Sequence, residues 1–126
     1  MSRKAAFIAA IITFSSLCMP IAANAQQHRI DGVGAAKCSA IVAGYASQPT
    51  ATVNDMMGWA YGYMTRRNIE RVNAGLRAVN LQPDGFGPAE MVTLMMNFCQ
   101  ENPEIRYYRA VDALFEIMAK DQGLIS

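Results

Sequence analysis

The chain has 126 residues, which suits one domain and no more, and its formal net charge at pH 7 is +1. A balance so close to zero argues against a dedicated nucleic-acid binder. Past its first 25 residues, no stretch is long and apolar enough to span a membrane.

Residues 1–25 read as a cleavable signal peptide. Arg3 and Lys4 supply a short positive start, and residues 5–17 form an apolar run too short to cross a bilayer. Ala23-Asn24-Ala25 then places small residues at the −3 and −1 positions of a cleavage site. Cleavage after Ala25 leaves 101 of the 126 residues. These keep 9 of the 11 Lys and Arg and all 10 Asp and Glu, a net of −1. The chain is therefore expected to be exported. Cys18 leaves with the leader, so Cys38 and Cys99 remain, and in an oxidising compartment a disulfide is the default. Closing a loop of about 60 residues contributes roughly 4 kcal/mol in the chain-entropy model.

Residues 26–34 are polar and glycine-bearing and read as a loose arm. Residues 35–126 read as a single helical domain. The first helix is expected over 35–45, where Cys38, Ile41, Val42 and Tyr45 recur at i, i+3, i+4 and i+7. A second is expected over 52–67, capped by Thr52, with Trp59 and Tyr63 as an i, i+4 aromatic pair. Gly58 and Gly62 sit one turn apart in it, and close approach by another helix would explain two glycines there. The segment 68–81 has weaker helical spacing and reads as a short irregular helix. Gln82-Pro83-Asp84-Gly85 is a turn.

A third helix is expected over 88–101, with Pro88 in its first turn and a stripe of Met91, Leu94, Met95 and Phe98. Asn102-Pro103 breaks it, and Asn102 reads as the N-cap of a last helix that runs to about residue 122. Gly123 suits its C-terminal end. No strand alternation persists anywhere. The fold class is therefore all-α: a small bundle of four main helices plus a short irregular middle helix, with one disulfide.

Catalytic constellations are missing from this pattern, and the chain reads as a non-enzyme. The one histidine, His28, falls on the arm, a poor place for a general base that must be held in position. Two cysteines and one distant histidine are too few ligands for a metal site, and no cofactor is expected. Met56, Trp59, Tyr61, Tyr63, Met64 and Met95 are the candidate client- or partner-binding residues, although helical spacing favours a core role for the methionines. Arg66, Arg67, Arg71 and Arg77, opposed nearby only by Glu70, form a candidate basic patch.

Cys38, the stretch Gly58-Trp59-Ala60-Tyr61-Gly62-Tyr63 and the run Phe98-Cys99-Gln100-Glu101-Asn102-Pro103-Glu104 resemble the HdeA/HdeB family of periplasmic acid-stress chaperones. The resemblance spans Cys38 to about Met118. It implies a small exported all-helical protein with one disulfide that suppresses client aggregation at low pH. Its partners would be unfolded client proteins, with a homodimer as a further option. The segment from Gly87-Pro88-Ala89-Glu90-Met91 through Asn102-Pro103-Glu104 to Ala113-Leu114 is also similar to Tai-type immunity proteins of type VI secretion. That likeness implies the alternative function, binding and neutralising one specific periplasmic toxin.

Overall fold

The computed structural model describes residues 29–125 of the chain. The expected leader, Cys18 and His28 lie outside the described residues. The rest is all-α, as the periodicity indicates. A short 3-10 turn over Gly32–Ala35 is followed by four helices: α1 (Cys38–Ser47), α2 (Pro49–Asn73), α3 (Pro88–Glu101) and α4 (Tyr107–Asp121). Among the described residues no helix is long and apolar enough to cross a membrane.

Local chemistry sets most of the helix ends. Pro49 begins α2 directly after α1, because its fixed φ suits the first helical position and the missing N–H is no loss there. Thr52, expected as the cap, instead donates its N–H to the carbonyl of Gln48 at 3.0 Å inside the first turn. Pro88 opens α3, and the Gly87 N–H is accepted by the Glu90 carboxylate at 2.9 Å. Helices α2 and α4 end alike. Gly75 and Gly123 adopt φ of +76° and +67°, and the N–H groups of Leu76 and Leu124 return to the carbonyls of Arg71 and Ala119, each at 2.9 Å.

The middle segment is no separate helix. Residues 68–73 continue α2, and residues 76–80 have no regular secondary structure. Two side-chain amides hold that piece. Asn68 donates to the Val79 carbonyl and accepts the Val79 N–H, both at 2.8 Å. Gln122 pairs with Asn80 in the same way, at 2.7 and 2.9 Å. Each amide stands in for a neighbouring strand, and Val79 is thereby plugged into the core at 2% exposure.

The junction before α4 also departs from expectation. Asn102 ends α3 rather than starting α4, and residues 102–106 form a linker. The linker carbonyls of Ile105 and Pro103 accept the N–H groups of Cys38 and Ser39, at 2.7 and 2.9 Å. Those two donors head α1 and have no partner within it. In return Tyr107 donates its N–H to Ala36 at 2.9 Å. A tertiary exchange therefore outweighs the local start signal of Asn102-Pro103.

Cys38 and Cys99 are bonded and fully buried, which staples the start of α1 to the end of α3. Around them the core collects Met56, Met64, Met91, Met95, Tyr107, Val111, Leu114, Phe115 and Met118. No polar or charged residue is buried among the described residues.

Glycine has two opposite roles. Gly34, which belongs to the stretch expected to be a loose arm, is buried under Trp59. A Cβ there would lie 2.0 Å from the indole, closer than any carbon contact allows. The strap over 32–35 docks because only glycine lets the backbone lie against that ring. Gly58 and Gly62, expected at a close helix approach, have nothing within 4 Å of a built Cβ. They cost helix stability without a packing return. Gly34→Ala should therefore destabilise the fold by about 2 kcal/mol and shift Trp59 emission to the red. Gly58→Ala should stabilise it by about 1 kcal/mol in urea unfolding. Equal effects at the two positions would contradict this account.

Candidate functional site

Trp59, Tyr63, Arg66, Arg67 and Glu70 fall at i, i+4, i+7, i+8 and i+11 of α2, so the helical period lays them along one stripe. Facing them, Arg29, Ile30 and Asp31 form the opposite bank of an open cleft of about 390 Å³. Its floor is aromatic. Trp59 stacks on Tyr63 with ring centroids 4.9 Å apart and planes 17° from parallel, the pair expected from the spacing. The ring of Tyr107 lies tilted at 6.0 Å from Trp59. The indole N–H of Trp59 donates to the Asp31 carbonyl at 3.1 Å and pins the strap over the ring.

Beside the cleft α2 is tied to α4. Arg67 donates to Asp112 at 2.5 Å and to Glu116 at 2.9 Å, and the Tyr63 hydroxyl donates to the same Asp112 oxygen at 2.9 Å. The Arg67 guanidinium also lies 4.7 Å above the Phe115 ring. Burial works against its charge, but the bond to Glu116 and the charge of Asp112 outweigh that, so Arg67 holds its proton more firmly than usual. These side chains are under a third exposed except for Glu116, so the cluster is screened less than the outer pairs.

The candidates from the sequence separate into different places. Trp59 and Tyr63 share the cleft with Arg66 and Arg67. Met56, Met64 and Met95 are fully buried, so in the closed fold they are core and offer no surface. Tyr61 lines a separate, smaller depression with Phe86 and Met91. The basic patch is not one patch. Arg66 pairs with Glu70 at 3.0 Å, Arg67 turns to α4, and Arg71 donates through Nε to the Arg77 carbonyl at 2.9 Å. Only Arg71 and Arg77 of the four have no carboxylate partner among the described residues.

Asp112 and Glu116 were missed because they lie 45 and 49 residues from Arg67. Their one signal was a carboxylate at a stripe position of α4, beside Val111. Among the described residues no group of three His, Cys, Asp or Glu side chains is placed to hold a metal ion.

Tyr107 is wholly buried, and its hydroxyl donates to the Met56 carbonyl at 3.0 Å. Burial raises its phenol well above the ordinary value of 10. Burial, with help from the Asp112 hydrogen bond, raises Tyr63 too. The unfolded chain therefore loses these protons first. Their contribution is intact below about pH 10 and is lost as pH rises toward the folded values. Urea midpoints should fall with rising pH above about 10, and Tyr107→Phe should flatten that fall. At pH 7 the same replacement should cost about 1 kcal/mol through the lost bond to Met56.

Fold and site together define a small, disulfide-bonded, all-helical domain with an aromatic cleft edged by arginine–carboxylate pairs. A scan against protein-family models, a search of curated proteins and a search of solved structures returned no match.

Proposed function

We propose that the chain is a small exported, non-enzymatic binding protein that opens in acid and shields unfolding client proteins from aggregation, in the manner of the periplasmic acid-stress chaperones it resembles. The observation that carries this reading is where the charged ties between segments end. Arg67 joins α2 to α4 through Asp112 and Glu116, and the more exposed pair of Lys37 with Glu104, at 2.6 Å, is a weaker tie between the start of α1 and the linker. Every one of these ties needs an ionised carboxylate.

A tie of this kind loses its charge pairing once acid protonates its carboxylate. From residue 26 onward the ten carboxylates then carry little charge, while nine Lys and Arg and His28 give about +10. Like charges repel and loosen the packing. The disulfide keeps α1 on α3, so the chain opens without dispersing. What opening exposes is a core rich in methionine, an adaptable apolar surface. A buried disulfide suits an oxidising compartment such as the periplasm.

A second reading is one dedicated periplasmic partner, such as a toxin that the chain neutralises. The exposed Ile69, Val72 and Leu76 of the closed fold favour it. The test is protection of an aggregation-prone client in acid by oxidised and by reduced protein. The oxidised form should protect and the reduced form should not. Equal protection by both would contradict the proposal.

A further inference from the structure

The three most exposed large hydrophobic side chains lie together at the end of α2: Ile69 is 56% exposed, Val72 57% and Leu76 54%. Ile69 and Val72 stand one turn apart. Leu76 follows the left-handed Gly75, and its N–H returns to the Arg71 carbonyl, so the chain folds back at the helix end. Single exposed apolar residues are ordinary, but three within eight residues, each more than half exposed, are not.

The charge beside the patch is specific. The other arginines of α2 are taken: Arg66 by Glu70, and Arg67 by Asp112 and Glu116. Arg71 and Arg77 have no carboxylate within ion-pair distance among the described residues. Arg71 is not loose, because its Nε–H is fixed on the Arg77 carbonyl. A guanidinium already held in place loses little freedom when it gains a carboxylate. Arginine is among the residues that interface centres favour.

We propose that this end of α2 is a docking surface for an acidic amphipathic segment of another protein, with apolar side chains on Ile69, Val72 and Leu76 and carboxylates on Arg71 and Arg77. A second copy fits poorly. Two-fold pairing would bring the same two arginines to both sides of one interface, with no free carboxylate there, among the described residues, to face them. A bilayer fits poorly too, since anionic lipid recruits clusters of about four to eight basic residues. The surface is present in the closed fold, so it stands independently of any opening in acid.

The probes are two synthetic helical peptides with leucines at the same spacing and either glutamates or lysines on the flanks. Each is titrated at pH 7 into oxidised, isotope-labelled protein and followed by NMR. The glutamate peptide should shift amides between residues 69 and 77, and added salt should weaken it. Arg77→Glu should weaken it roughly tenfold or more, with far-UV circular dichroism unchanged. Equal binding of the lysine peptide, shifts confined to other segments, or no binding of either would overturn the proposal. So would co-sedimentation with anionic phospholipid vesicles that Arg77→Glu abolishes, or a dimer in sedimentation equilibrium that Leu76→Ser dissolves.

Discussion

Replacing both Cys38 and Cys99 by alanine should lower the stability of the fold by about 4 kcal/mol, read from the urea midpoint at constant slope. The bond spans 61 residues, a loop long enough for its closure to remove much of the unfolded chain's freedom. Both sulfurs are fully buried, so the replacement also empties core volume. A domain of this size is held by only about 5–15 kcal/mol, so the loss is a large fraction of the whole. The staple joins α1 to α3, and α1 draws its first hydrogen-bond partners from the linker behind α3. Without the bond, that junction depends on short backbone contacts and the exposed Lys37–Glu104 pair, which contributes little. The alanine variant should therefore be folded at neutral pH and largely unfolded in acid. A loss under about 1 kcal/mol would show that the junction holds without its covalent link.

Phe115→Ala should cost a similar amount, about 4 kcal/mol. The ring is 1% exposed, and its removal leaves a cavity between α2 and α4. It also takes away the surface on which the Arg67 guanidinium rests, while Asp112 and Glu116 still hold that charge in place. Ile117, two residues along the same helix, is 38% exposed and serves as the control. Ile117→Ala should cost less than about 1 kcal/mol, because its surface is already partly in water. Comparable losses at the two positions would mean that α4 does not present the face described.

The contrast between those two residues shows how far the sequence pattern reaches. The sequence pattern starts the last helix at the Asn102 cap. The helix starts at Tyr107 and turns Tyr107, Ala110, Val111, Leu114, Phe115 and Met118 inward. The third helix was legible to its ends, because Pro88 opens it and Asn102-Pro103 closes it by local chemistry alone. The Cys38–Cys99 bond was legible because two cysteines remain once Cys18 is assigned to the leader.

What escaped is tertiary. The irregular stretch around Val79 is shaped by Asn68 and Gln122, amides that lie 11 and 42 residues from the groups they bind. Gly75, inside the segment of weak helical spacing, acts at one point as a left-handed cap. Gly34 looked like a mark of looseness and is the residue that lets the strap close on Trp59. The candidate site was half legible. Trp59 with Tyr63 and Arg66 with Arg67 share a helix and therefore a stripe, but the carboxylates that hold Arg67 arrive from another helix.

The central claim is that carboxylate ties keep a methionine-rich core closed at neutral pH and release it in acid. Light scattering of an aggregation-prone client, with the oxidised protein present at pH 2–3 and at pH 7, tests it most directly. The account predicts suppression of scattering at pH 2–3 and none at pH 7. Suppression at both values, or at neither, would contradict it.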